Sequence, residues 1–179
     1  MSMRKAALLS IALVAACGPR GAAAPEGPGL GRAASAEEIA GWDISIPPDG
    51  SGLPEGSGTA KAGASVYAAK CATCHGDKGE GASAEELVGG IGSLASDNPT
   101  LTVGSYWPFA TTLFDYVRRA MPPEAPFSLS ANEIYAVSAY ILYLNKIVGA
   151  DDALDAKTLH AVKMPNRDGF IPVYRDPKS

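Results

Sequence analysis

Residues 71 to 75 read Cys-Ala-Thr-Cys-His, and this run constrains the chain more than any other. Two of its three cysteines stand three positions apart with an imidazole directly behind them, so any fold must gather their chemistry at one point. The preceding stretch, Ala60 to Lys70, is rich in alanine and follows Thr59, a good N-cap. That predicts a helix over about 60 to 70 that delivers Cys71 at its end.

Three chemistries compete for such a motif. A redox dithiol of Cys-x-x-Cys type wants a strand-to-helix setting in an alternating chain, and no strand series is legible here. A zinc site needs about four ligands, and beyond this pair and His75 only Cys17, His160 and carboxylates remain. Histidine placed directly after the second cysteine is the pattern of c-type haem attachment. On that reading Cys71 and Cys74 form thioethers to one covalently bound haem c, and His75 reaches its iron.

The second axial position then decides between electron transfer and an open site. Met121, Met164 and His160 are the candidates, with Met121 favoured because Pro122 and Pro123 pin it just before the last helix. A thioether is a soft, neutral ligand that favours ferrous iron and raises the potential. Tyr106, Trp107, Arg118 and Arg119, on or beside the Met121 helix, are candidates for the haem surroundings and its propionates.

The remaining elements follow from local signals. Pro108 suits the first turn of a helix ending on Met121, where Pro122 blocks continuation. Ser130 with Glu133 makes a capping box, Leu129 with Ile134 a hydrophobic staple, and Ile134, Val137, Ile141, Leu144 and Val148 one apolar stripe. A helix over 130 to 148 is therefore expected. Residues 76 to 106 are glycine-rich and aperiodic, which predicts a long functional or wrapping loop with one short helical turn.

Upstream, residues 17 to 58 are dense in Gly, Pro, Ala and Ser and read as a linker and extended arm. Ser35 and Glu38 suggest a short capped helix within it. Residues 149 to 179 form a tail with one short helix expected near 156 to 162. Residues 1 to 16 read as a signal peptide, with Arg4 and Lys5 before an apolar run too short to span a membrane. Val14-Ala15-Ala16-Cys17 resembles a lipobox, which makes Cys17 a lipidation site; cleavage near Ala22-Ala23-Ala24 is the alternative. Either places the mature chain outside the cytoplasm, on the periplasmic side of a bacterial membrane.

From 59 to 148 the chain resembles a class I cytochrome c. That resemblance implies an all-α domain, here with an extended N-terminal arm and a C-terminal tail, whose first and last helices cross beside the haem. Gly63 and Tyr67 would then meet Tyr140 and Leu144. The proline that often supplies a carbonyl to the ligand histidine in this family has no counterpart here; Glu85, Glu86 and Leu87 occupy the region. The flanks "SAEEIAGWDISIPPDGSGLPEGSGTA", "PFATTLFDYVRRAMP" and "VKMPNRDGF" resemble the cytochrome subunit of bacterial sulfane or sulfite dehydrogenases, including the Sox sulfur-oxidation type. This implies a molybdenum-cofactor subunit as electron donor, a downstream cytochrome or oxidase as acceptor, and no substrate catalysis on this chain itself.

The net charge of −4, made more negative by two if Arg4 and Lys5 leave with the leader, argues against a nucleic-acid partner and suits a basic protein surface. Two other functions share the motif: a free-standing respiratory electron shuttle, and an open-site haem enzyme or sensor whose Met121 leaves the iron. Arm and tail are expected either to clasp a partner or to wrap their own domain.

Overall fold

The computed structural model describes Gly27 and residues 30 to 171; the leader, Cys17 and the last residues of the tail lie outside them. In chain order the elements are α1 (Ala36–Trp42), β1 (Ser57–Thr59), α2 (Ala60–Lys70), α3 (Ala72–His75), α4 (Ala110–Ala120), α5 (Ala131–Leu144) and β2 (Ala153–Asp155). Single 3-10 turns form at Ser93–Ala95 and Leu159–Ala161.

The chain divides after Trp42 into two units. In the first, α1 begins with the capping box read from sequence: Ser35 Oγ accepts from the Glu38 N–H at 3.2 Å, and Glu38 Oε2 accepts from the Ser35 N–H at 2.8 Å. Arg32 pairs with the same carboxylate, and with Ser35 it holds Glu38 down at about 2.

In the second unit the caps set both ends of a helix pair. Thr59 accepts from the Ala62 N–H to start α2, and Ser130 with Glu133 closes both halves of the box that starts α5. These two helices make the most extensive contact of any pair of elements. Gly63 is the reason they can: a Cβ there would overlap the Ala136 carbonyl and crowd the Tyr140 side chain. Tyr67, one turn on, meets Tyr140 with ring centroids 5.2 Å apart. Helix α4 lies against α5, where Phe114 and Tyr135 pack at 4.5 Å and are both fully buried.

Two helix boundaries and two elements differ from expectation. Helix α4 starts at Ala110 rather than Pro108, because Phe109 is extended at φ −136° and offers its ring to the Arg167 guanidinium, 4.5 Å away. Helix α5 stops at Leu144, four residues short of Val148. There Lys146 turns left-handed at φ 61°, and the bonds Lys146 N to Tyr143 O and Ile147 N to Leu142 O close a Schellman motif. The helix expected near 156 to 162 is only the 3-10 turn at Leu159–Ala161. An antiparallel ribbon joins β1 to β2, pairing Ser57 with Asp155 and Thr59 with Ala153; strands of three residues leave no alternation to read.

Both extensions contribute to the core. Ile46 from the arm and Leu154, Leu159 and Met164 from the tail are buried in the same cluster as Leu113 and Val137. Tyr135 donates to the Pro54 carbonyl at 2.9 Å, and Asn132 Oδ1 accepts from the Ser57 N–H at 2.8 Å. Residues 43 to 58 and 153 to 164 therefore wrap the domain.

Candidate functional site

Helix α2 ends at Cys71, whose N–H bonds to Tyr67 O at 2.8 Å, and its φ of −124° breaks the helical path. The chain at once winds one more turn as α3, held by His75 N to Cys71 O at 3.0 Å and Gly76 N to Ala72 O at 2.9 Å. Both thiols and the imidazole thus sit on a single turn. Gly76 then leaves at φ 81°, where a Cβ would lie 2.6 Å from the Glu80 carboxylate. That reversal folds the loop back on the motif: Gly81 N bonds to His75 O at 2.8 Å and Ala84 N to Cys74 O at 2.9 Å.

The next carbonyl along that return, Glu85 O, lies 2.8 Å from His75 Nδ1. A carbonyl can only accept, so Nδ1 carries the proton and Nε2 keeps its lone pair for a metal. A bond of this kind also fixes ring orientation and makes the ligand more basic.

The competing chemistries fare less well. Among the described residues no three His, Cys, Asp or Glu side chains come together to hold a metal ion, so Cys71, Cys74 and His75 do not themselves form a zinc site. Cys71 and Cys74 are free thiols, and burial, with the nearby Cys74, pushes the Cys71 thiol up to about 11.

Met121 is the C-cap of α4, its N–H bonded to Val117 O at 3.1 Å, and its peptide bond to the buried Pro122 is cis. The side chain is half-buried against the core, as are Cys71, Ala72, Leu87 and Trp107. The other candidates differ from it: Met164 is enclosed in the core at 3% exposure, and His160 is exposed.

Of the four surrounding residues, Trp107 belongs to that half-buried apolar set and meets Tyr116 edge-on at 5.7 Å. The other three are engaged elsewhere. Tyr106 packs edge-on against Phe170 of the tail at 5.2 Å, Arg119 pairs with Asp115 one turn back, and Arg118 donates to the Ile44 carbonyl at 3.5 Å.

Two contributors have roles finer than the sequence resolves: the resemblance marks the region of Glu85 to Leu87 without choosing the acceptor, and places Tyr67 only against α5. Glu85 acts through its backbone carbonyl, which any residue type supplies, and only the loop path brings it to His75. Tyr67 donates its hydroxyl to Gly76 O at 2.9 Å, tying α2 to the exit of the motif.

The residues on this turn fit haem c, with two thiols and an imidazole whose proton is assigned to Nδ1; Met121, before Pro122, is the candidate soft sulfur donor. The family model described as cytochrome C oxidase, cbb3-type, subunit III matches residues 58–141. Among solved structures the chain matches one in the crystal structure of the sulfane dehydrogenase SoxCD from Paracoccus pantotrophus. That match has a TM-score of 0.76 at 45% sequence identity, covering 84% of this chain and 75% of that one. A comparison with curated proteins finds no match.

Proposed function

Because the chain belongs to the class I c-type cytochromes, we propose that it is a single-haem electron carrier that takes electrons from a molybdenum-cofactor dehydrogenase acting on a sulfur centre. The haem electron-transfer role comes with the family; the partner is the finer reading. It rests on likeness to a chain of the sulfane dehydrogenase SoxCD. Haem c, when bound, supplies a one-electron ferric/ferrous couple.

The observation that carries the reading is the bond from His75 Nδ1 to the Glu85 carbonyl, which presents Nε2 as an oriented ligand beside two free thiols. Cys71 and Cys74 would hold the group through thioethers, and His75 Nε2 and the Met121 sulfur would be its iron ligands, which suits electron transfer rather than substrate binding. The prolines after Met121 limit its departure, which favours a carrier over an open-site enzyme or sensor.

In this reading the chain works on the periplasmic side of a bacterial membrane, tethered by lipid at Cys17. Among the described residues no helix is long and apolar enough to cross a membrane. Replacing Cys17 by Ser should release the protein from the membrane fraction; continued retention would point to a protein tether.

The test of function is affinity purification of the native protein from its own cells, followed by addition of sulfite or thiosulfate. Co-purification of a molybdenum subunit with haem reduction on adding the sulfur donor is the expected result. Haem that stays oxidised with every sulfur donor, while accepting electrons from a quinol-oxidising complex, would instead make the chain a free-standing shuttle.

A further inference from the structure

Asn145 caps α5 and is 4% exposed, and its side-chain amide is engaged at both ends. Nδ2 donates to Ile141 O at 3.0 Å, an ordinary helix-end bond. The other contacts are not required by the helix: Nδ2 also donates to Leu87 O at 3.1 Å, and Oδ1 accepts from the Gly89 N–H at 3.2 Å. They reach a loop 56 to 58 positions earlier in the chain. Gly104 makes room for them, since a Cβ there would overlap the Asn145 amide.

The loop that Asn145 holds is the one that carries Glu85. Before Glu85 the loop is tied to the motif by Ala84 N to Cys74 O at 2.9 Å; after it, Leu87 N to Gly79 O at 2.8 Å and Val88 N to Gly79 O at 3.1 Å run within the loop itself, so the far side of Glu85 depends on other contacts. Thr102 Oγ1 donates to Gly89 O at 2.7 Å, a contact from a second loop. Asn145 is bonded to the body of a core helix on one side and to Leu87, two residues past Glu85, on the other. Buried amides with both ends satisfied are costly to disturb and specify one local geometry.

We propose that Asn145 is a positioning residue for His75: it fixes the 85 to 89 segment to helix α5 and so holds the Glu85 carbonyl on the imidazole Nδ1–H. The proposal rests on His75 being an axial ligand. Loss of the Asn145 contacts lets that carbonyl move away, which exposes the Nδ1 proton to solvent and makes the ring less basic. The reduction potential then rises, because a more basic ligand favours ferric iron.

The experiment uses the ferric holoprotein and proton NMR, following the hyperfine-shifted Nδ1–H of His75 after transfer to heavy water, with the potential measured alongside. Asn145→Ala should speed exchange at least about tenfold, the effect of losing roughly one buried hydrogen bond, and raise the potential. Gly104→Ala, which displaces the amide without removing it, should do the same and carries the test if Asn145→Ala does not accumulate. Ser130→Ala, at the opposite end of the same helix, is the reference for general destabilisation. If exchange and potential in the Asn145 and Gly104 variants change no more than in Ser130→Ala at equal loss of melting temperature, the positioning role is overturned. If the unmodified protein shows no hyperfine-shifted His75 proton, the ligand assignment fails first, and the proposal with it.

Discussion

At the scale of single residues the account turns on a few polar atoms. Replacing both Cys71 and Cys74 by Ser should leave haem extractable into acidified acetone, whereas haem in the unmodified protein stays with the polypeptide; extraction from both would refute the thioether assignment. Tyr67 gives a second, independent test. Burial raises its hydroxyl to about 12, and that of Tyr135 also to about 12. A group that holds its proton more tightly when folded stabilises the fold fully below its unfolded pKa, about 10, and that stability is lost as pH rises through the folded value. Unfolding midpoints should therefore fall between about pH 10 and 12, and the fall should flatten when both tyrosines are replaced by Phe. Tyr67→Phe alone should cost about 1 kcal/mol at neutral pH through the bond to Gly76 O. The thiols and imidazole were legible because their spacing has one main chemical use. The region of Glu85 is marked by resemblance but not the residue, because a backbone carbonyl carries no side-chain signal; Asn145 is not legible, because it acts through a loop whose path no local pattern encodes.

At the scale of elements, the capped N-termini of α1, α2 and α5 are the most readable part of the chain, because a cap is a local hydrogen bond between neighbours. Thr59, Ser35 with Glu38, and Ser130 with Glu133 all form the caps their order predicts. The backbone N–H and hydroxyl of Ser130 hold the Glu133 carboxyl below its usual range. A carboxylate lowered on folding stabilises above its unfolded pKa, about 4.3, and that contribution is lost as pH falls through the folded value. Glu133→Gln should accordingly remove part of the acid-induced loss of melting temperature, and Ser130→Ala should cost about 1 kcal/mol at neutral pH. Crossing geometry is stricter still. Gly63→Val should destabilise by about 1 to 3 kcal/mol or more, since the added side chain meets the α5 backbone at Ala136; an unaltered melting temperature would contradict the packing described. The ends of α4 and α5 were misjudged where distant parts intervene, Arg167 over Phe109 at one and the left-handed Lys146 at the other.

At the scale of the whole molecule, a compositionally loose arm and tail turn out to supply buried residues, Ile46, Leu154, Leu159 and Met164, to the helical core. Their Gly and Pro content hid this, because three-residue strands and single anchoring side chains carry no period. Net charge acts at the same scale. With a formal charge of −4, electron exchange with a basic protein should slow as salt is raised from low to physiological ionic strength, and a rate indifferent to salt would argue against electrostatic steering. The central claim, a carrier whose iron is closed by His75 and Met121, is tested most directly by the far-red sulfur-to-iron charge-transfer band of the ferric protein. The account predicts that the band is present in the unmodified protein and in Met164→Ala and is abolished in Met121→Ala; its persistence in Met121→Ala, or its loss in Met164→Ala, would contradict it.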